Sequence, residues 1–189
     1  MIVDTHTGLL DVARQVHSPN QDERPMGSVP ELIVIHGISL PPGEYGGPWI
    51  DALFTNSLDP AAHPYFAGIH QLQVSSHLLI RRGGEIVQYV PFSQRAWHAG
   101  KSSYAGRERC NDFSIGIELE GTDDTPYETA QYHRLARVID ALLHAYPTLS
   151  ANRIAGHSDI APGRKTDPGP FFRWDELYVQ LEAEPHYLG

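Results

Sequence analysis

Three side chains that can bind a metal or polarise a substrate lie within one short segment near the end of the chain. The sequence AGHSDIAPGRKTDPGP, residues 155–170, contains His157, Lys165 and Asp167. An imidazole nitrogen and a carboxylate oxygen are ligands that zinc commonly accepts. Lys165 lies two residues before Asp167, so both side chains point the same way if the segment is extended. A metal-binding carboxylate beside a cation is typical of a catalytic site rather than of a structural one.

The same segment is rich in glycine and proline, which restrict its conformation. Pro162, Pro168 and Pro170 have no backbone N–H to donate, while Gly163 and Gly169 allow turns that other residues resist. We therefore predict that regular helix and sheet end before this segment, and that the segment is a stiff, irregular loop. Loops of this kind often carry binding and catalytic groups.

A third ligand candidate, His36, lies at the end of a strongly apolar run. The run ELIVIHG, residues 31–37, has the composition of a buried central strand. A lone hydrogen-bonded histidine would be the ordinary interpretation, but the later His157 and Asp167 favour a ligand at the rim of the sheet. Three protein ligands with an open fourth position are the pattern of catalytic zinc.

A candidate general base, Glu118, lies in a strand with alternating polarity. In FSIGIELEG, residues 113–121, the apolar side chains occupy one face, and Glu118 lies on the other face beside small residues. Glu118 could take a proton from zinc-bound water and deliver it to a leaving amine, while Lys165 could stabilise the oxyanion. This set suits hydrolysis of an amide. Two alternatives stay open: a solvent-exposed acidic face on an edge strand, and Glu120 as the base.

The polar loop RAWHAGKSSYAGRERCND, residues 95–112, contains embedded aromatic residues. Trp97 and His98 could line a ligand groove, because exposed aromatic rings stack on sugar faces. Packing of the same two side chains over the edge of the sheet is an equally good interpretation.

Periodic patterns predict the elements that hold these groups in place. Strands are predicted at ELIVIHG, on both sides of residues 82–85 in SSHLLIRRGGEIVQYVP, and at FSIGIELEG. The Gly83-Gly84 pair suits the tight turn of a hairpin. Helices are predicted at WIDALFTN, over residues 125–146 with Thr125–Glu128 as a capping box, and at RWDELYVQL.

The order of these elements predicts the fold class. Because strands alternate with helices and one hairpin is present, we predict an α/β fold with a central mixed β-sheet flanked by helices. The chain of 189 residues is expected to form a single domain. Its predicted parts are an N-terminal arm at 1–29, a catalytic core at 30–182 and a tail at 183–189.

Composition limits the classes of partner. The chain has 14 basic and 23 acidic side chains and a net charge of −9, which argues against nucleic acid and against an anionic membrane surface. A single cysteine, Cys110, excludes an internal disulfide and a four-thiolate zinc site. No segment reaches the roughly 20 apolar residues of a membrane span, and no signal peptide is evident. We therefore expect a cytoplasmic protein, and nothing in the sequence demands more than a monomer.

Four long motifs resemble those of one enzyme family: IVIHGISLPPGEYGGPWIDALF, AWHAG, GRERCNDFSIGIELEGTD and GHSDIAPGRKTDPGP. They are similar to the zinc-dependent N-acetylmuramoyl-L-alanine amidases of the type-2 amidase family, especially its cytoplasmic members that cut anhydro-muramyl peptides. The resemblance covers about residues 30–180. It implies a fold shared with peptidoglycan-recognition proteins, one zinc ion per chain and a muropeptide substrate. The implied reaction cuts the amide between the lactyl group of anhydro-N-acetylmuramic acid and L-alanine, in recycling of the cell wall.

The resemblance also implies roles for individual residues. His36, His157 and Asp167 match the zinc ligands of the family, and Glu118 and Lys165 match its catalytic pair. The positions implied to hold the substrate are Trp97, His98, Arg109 and Gly37, with Arg109 pairing with a carboxylate of the stem peptide. Gly37 and Gln73 depart from the family pattern, in which asparagine and a basic residue are common.

Two other functions are compatible with the same motifs. A module that binds peptidoglycan fragments without cutting them usually lacks a ligand, whereas all three ligands are present here. A zinc peptidase acting within the stem peptide needs the same metal groups, so only the reaction products distinguish it from an amidase.

Overall fold

Six strands form the sheet that carries the predicted site residues. The computed structural model describes residues 1–185 and contains the following elements, in chain order. The strands are β1 (Val3–Asp4), β2 (Leu9–Leu10), β3 (Arg14–Gln15), β4 (Gln21–Glu23), β5 (Leu32–Ile38), β6 (Leu78–Ile80), β7 (Ile86–Gln88), β8 (Gln94–Ala96), β9 (Ser103–Tyr104), β10 (Arg107–Glu108), β11 (Ser114–Glu120) and β12 (Ile154–Gly156). The helices are α1 (Trp49–Phe54), α2 (Thr129–Ala145), α3 (His157–Ile160) and α4 (Trp174–Glu182).

The main sheet is mixed, as the sequence predicts. Its strand order is β12-β5-β11-β6-β7-β3. The strands β12, β5, β11 and β6 run parallel to one another, and β7 returns antiparallel to β6 as the predicted hairpin. The carboxyl ends of β12, β5 and β11 therefore meet at one edge of the sheet, where ligands of open α/β sheets commonly bind.

Both faces of the sheet are covered, which explains why its central strands are so apolar. Ile33 and Ile35 of β5 pack with α2 and α4, whereas Leu32 and Val34 pack under residues that include Ala99 and Cys110. The helix α1 covers the second face farther along, over β6 and β7. A parallel sheet covered on both sides has this composition.

The strand β11 is central rather than an edge strand. It lies between β5 and β6, and all seven of its residues are buried. Glu118 and Glu120 are 8% and 2% exposed. The alternative of a solvent-exposed acidic face is therefore wrong, because the loops over the second face exclude water from these carboxyl groups.

Two predicted boundaries differ from the structure. The helix α2 begins at Thr129, and its first turn is closed by Gln131, whose Oε1 accepts from the N–H of Glu128 at 3.0 Å. The capping box predicted at Thr125–Glu128 is wrong, because Tyr127 turns inward and donates its hydroxyl hydrogen to the carbonyl of Pro168. The prediction that residues 155–170 lack regular structure is wrong for one helical turn, α3.

The N-terminal residues are integrated into the core rather than lying loosely over it. The strand β3 extends the main sheet, and β4 pairs with β8. The guanidinium of Arg24 donates to the carbonyls of Phe92, Asn111, Asp112 and Ser114 at 2.9–3.3 Å. Arg24 thus joins the N-terminal residues to the start of β11. Of the predicted tail, residues 186–189 lie outside the described residues.

The helices of the described chain are short or amphipathic. Within residues 1–185, none is long and apolar enough to span a lipid bilayer.

Replacement of Arg24 by methionine is expected to destabilise the fold. The variant leaves four carbonyls without their charged donor, so the free energy of unfolding should fall by about 2 kcal/mol or more. Urea denaturation followed by circular dichroism measures this difference. The matched control is Arg153→Met, because Arg153 is half exposed and pairs with Glu31 at the surface. A comparable loss in both variants would show that Arg24 does not brace the core.

Candidate metal centre and active site

The pairing register of three strands brings the predicted site residues to one level. In the parallel pair β5–β11, His36 lies opposite Glu118. In the pair β12–β5, Gly156 lies opposite Ile35, so His157 follows at the level of His36. Asp167 returns to this edge in the loop after α3, where its carbonyl accepts from the N–H of Ser158 at 2.9 Å.

Three atoms converge at this edge at separations suited to a metal ion. His36 Nδ1 lies 3.0 Å from His157 Nδ1 and 3.3 Å from Asp167 Oδ2, and His157 Nδ1 lies 3.1 Å from the same oxygen. Ligand atoms about 2.0 Å from a tetrahedral zinc ion lie about 3.3 Å from one another. Within residues 1–185, these three residues form the one group of at least three histidine, cysteine or acidic side chains whose ligand atoms lie close enough together to hold a metal ion.

The protonation states of these groups also suit a cation. The Nε2 of His157 lies 3.3 Å from the Ala99 carbonyl, which can only accept, so Nε2 carries the hydrogen and Nδ1 presents a lone pair. Burial lowers the pKa of His36 to about 4, so its imidazole is neutral at pH 7. Burial opposes ionisation of Asp167, but the two adjacent histidine rings lower its pKa below the usual range.

Glu118 lies beside the three converging atoms with one oxygen free. Its Oε1 is 4.0 Å from His36 Nδ1, and its buried Oε2 has no hydrogen-bond partner among the described residues. Burial and then the charge of Asp167 raise the pKa of Glu118 well above its usual value, while Lys165 opposes this shift. Lys165 is exposed. Glu118 is therefore a buried carboxyl group with one unpaired oxygen beside the three converging atoms.

Glu120, the alternative base, has both oxygens in use. Its Oε1 accepts from the N–H of Gly46 at 2.7 Å and from Arg81 at 3.2 Å, and its Oε2 faces the N–H of Arg82 at 3.3 Å. Glu120 holds the loop before α1 against the hairpin. It therefore has no free acceptor for a substrate proton.

The four residues expected to contact a substrate lie in different surroundings. Trp97 is half-buried, and its indole N–H donates to Asp22 at 3.1 Å, which fits packing over the sheet edge. Gly37 lies beside Asp167, and a side chain there would collide with the Tyr127 hydroxyl. His98 is 9% exposed and lies behind His36, so its ring does not face the groove.

Arg109 is the expected contact that remains open to solvent. Its side chain is 71% exposed and pairs with Asp112 at 3.2 Å. It lines a cavity of about 550 Å³ together with Lys101 and Arg164, beside the helix that His157 begins. Its three basic side chains outnumber the one acidic residue of the lining, Glu108, which gives this cavity the charge to receive carboxylates.

Sequence reasoning missed the groups behind the converging atoms. The Ala99 carbonyl accepts from His157, Tyr127 contacts Gly37 and Gly121 and bonds to Pro168, and His98 bonds to His36. Every residue has a backbone carbonyl, so the sequence alone could not indicate the role of the Ala99 carbonyl. The one sequence feature that could have indicated the inward orientation of Tyr127 is the nearby Gly121, whose lack of a side chain leaves space for the ring.

The fold and this edge of the sheet are those of an amide hydrolase. The chain belongs to the N-acetylmuramoyl-L-alanine amidase family (Amidase_2), whose model matches residues 26–170. This confirms the family, the enzyme class and the mixed α/β fold that the motifs predicted.

The chain is similar to several named members of that family. It is 67% identical over 179 residues to the 1,6-anhydro-N-acetylmuramyl-L-alanine amidase AmpD of Citrobacter freundii, covering 95% of each chain. It matches the crystal structure of a selenomethionine AmpD derivative with a TM-score of 0.92 and 63% identity, covering 96% of this chain and 99% of that one. It also matches the Escherichia coli amidase AmiD in complex with anhydro-N-acetylmuramic acid-L-Ala-D-γ-Glu-L-Lys, with a TM-score of 0.58 and 31% identity, covering 84% and 60%.

Proposed function

We propose that the chain is a zinc-dependent amidase that separates 1,6-anhydro-N-acetylmuramic acid from the L-alanine of its stem peptide. The observation that carries the zinc is the convergence of two imidazole nitrogens and one carboxylate oxygen within 3.3 Å of one another. The substrate is supported by the name of the Citrobacter freundii relative and by the muropeptide bound to AmiD. We further propose that the chain acts as a single-domain monomer in cytoplasmic recycling of the cell wall.

His36, His157 and Asp167 would hold the zinc ion. Two imidazoles that present lone pairs and one ionised carboxylate give these three ligands one negative charge, and a divalent cation would bring the sum to one positive charge. A zinc ion held by these three residues would supply Lewis acidity there. The ligands come from buried backbone segments, so the site is rigid before any substrate arrives.

Glu118 would move the proton in this reaction. Its carboxylate would take a proton from the attacking water and return it to the amine of L-alanine as that amine leaves. Burial raises the pKa of Glu118, so its carboxylate takes up a proton more readily than an exposed one would. Its Oε1 lies 4.0 Å from His36 Nδ1, at the edge where the three ligand atoms converge.

Lys165 would stabilise the oxyanion that forms on the attacked carbonyl. Its ammonium group acts on the pKa of both Glu118 and His36, which indicates that its charge reaches the site. Lys165 is exposed and lies in the loop between α3 and Asp167, so substrate can approach it directly. A cation there acts most strongly when negative charge develops in the transition state.

The basic cavity would receive the stem peptide. Arg109 is the side chain with the most freedom to pair with a peptide carboxylate, since Arg164 already donates to the carbonyls of Ala99 and Lys101. The half-buried ring of Trp97, in the loop of residues 95–112, would contact the substrate from the border of this loop. Gly37 would offer only its backbone here, because the Tyr127 hydroxyl fills the space that a side chain would take.

Identification of products tests the proposed reaction. Purified protein with zinc is incubated with anhydro-N-acetylmuramyl-L-Ala-D-γ-Glu-L-Lys, and the products are identified by mass spectrometry. We expect free anhydro-N-acetylmuramic acid and the intact tripeptide. Cleavage within the tripeptide would identify a stem-peptide peptidase instead, and binding without cleavage would identify a non-catalytic module.

Replacement of Asp167 by alanine is expected to remove most zinc binding. The change deletes one of three ligand atoms, so zinc affinity should fall by more than about 100-fold, beyond the loss typical of residues outside the ligand shell. Elemental analysis after dialysis against a chelator measures the bound metal. The control is Asp159→Ala in the same segment, which removes a carboxylate bonded only to the N–H of Gly156. Tight, stoichiometric zinc in the Asp167 variant would remove it from the ligand set.

Replacement of Glu118 by glutamine is expected to keep zinc but lower turnover. An amide cannot take up the proton, so kcat should fall by about 100-fold or more. The matched control is Glu120→Gln, because Glu120 is also buried on β11 but has no free oxygen. Steady-state kinetics and thermal melting are measured for both variants. Loss of turnover in the folded Glu120 variant alone would assign the proton transfer to Glu120.

A further inference from the structure

The buried ring of His98 lies between His36 and Ser114. Its Nδ1 is 2.8 Å from His36 Nε2, and its Nε2 is 3.0 Å from Ser114 Oγ. The hydroxyl of Ser114 continues to the carbonyl of Cys110 at 2.6 Å. Four groups therefore form a continuous row of hydrogen bonds that begins at the imidazole of His36.

The carbonyl at the end of this row determines the direction of every bond in it. Because the Cys110 carbonyl can only accept, Ser114 donates its hydroxyl hydrogen to it. Ser114 Oγ then accepts from the Nε2–H of His98, which leaves His98 Nδ1 without a hydrogen. That nitrogen accepts from the Nε2–H of His36, so the lone pair of His36 lies on Nδ1, the atom that faces Asp167.

We infer that His98 is a positioning residue that fixes the tautomer and orientation of His36, and that it does not contact the substrate. The inference rests on the proposed function, in which His36 is a zinc ligand. A ligand histidine whose second nitrogen is held by a hydrogen bond has its metal-binding nitrogen already directed at the metal. His98 supplies that acceptor from inside the protein.

The neighbouring residue does the same for the other ligand histidine. Ala99 accepts the Nε2–H of His157 through its carbonyl. The N–H groups of His98 and Ala99 both donate to Asn111 Oδ1, at 3.1 and 2.8 Å. Two consecutive residues, held by one side-chain amide, therefore direct both imidazoles.

The strand beneath the ring is shaped to admit it. A Cβ at Gly116 of β11 would lie 2.5 Å from His98 Cγ, closer than any side-chain carbon can approach. The space left by the missing side chain of Gly116 is thus occupied by the His98 ring. His98 is inside the wall of the site, while the substrate approaches from its open side.

Zinc affinity tests this role without relying on activity. Zinc dissociation constants are measured by competition with a chromophoric chelator at one pH, and folding of each variant is checked by thermal melting. His98→Phe keeps a ring in the cavity but removes the acceptor, and affinity should fall by about 10- to 100-fold. His98→Asn restores an acceptor near the Nδ1 position and should recover part of the loss.

Two further variants separate the hydrogen bonds from packing. Ser114→Ala removes the acceptor that fixes the tautomer of His98, and should weaken zinc binding by several-fold, within the range for groups outside the ligand shell. His77→Phe is the control, because His77 is also buried and its ring lies 5.9 Å from that of His98, yet it bonds to Gly116, Gln94 and Arg24 and to no ligand. Its zinc affinity should match that of the wild type.

The outcomes distinguish this inference from the proposed function. If wild-type protein binds zinc and releases the tripeptide, but His98→Phe binds zinc as tightly as His77→Phe, the positioning role is wrong and the amidase proposal stands. Equal losses in His98→Phe and His98→Asn would also overturn it, because packing alone would then explain the effect. If wild-type protein binds no zinc, both proposals fail.

Discussion

The register of three parallel strands is the constraint on which the site depends. The pairs β5–β11 and β12–β5 place His36, Glu118 and His157 at one level on one face of the sheet. Because side chains alternate along a strand, a slip of one residue would turn His36 toward α2 and leave an apolar residue at the site. The apolar residues flanking His36 fix that register, since they must meet separate packed layers on the two faces.

Burying this many polar groups at one edge is unfavourable unless each finds a partner. The Nε2 atoms of His36 and His157 bond to His98 and to the Ala99 carbonyl, two neighbouring residues of one loop. The carboxylate of Glu120 accepts from Arg81 and from two backbone N–H groups. The Nδ1 atoms of His36 and His157 and the Oδ2 of Asp167 are left as acceptors facing one another. Mutual repulsion of these acceptors is relieved by a cation, so the proposed zinc ion would complete the fold at this edge as well as the site.

Much of the fold and part of the site could be predicted from the sequence, because the signals are local. The apolar run before His36 and the alternation around Glu118 identify strands, and the glycine- and proline-rich segment marks the loop with Asp167. The helix start at Thr129 was missed because a tertiary contact of Tyr127 overrides a good local capping pattern. The hydrogen bond of His98 to His36 was missed for a related reason: a histidine in a polar loop carries no sign of the space left for it by Gly116, eighteen residues later in the sequence.

Arg24 lies just before the segment that the family model matches. The family match starts at residue 26, whereas Arg24 precedes it and clasps the carbonyls on either side of the turn that enters β11. The strand that bears Glu118 is therefore supported by a residue that precedes the matched segment. A protein trimmed to residues 26–170 would lose these four hydrogen bonds, and with them part of what holds the start of β11 in place.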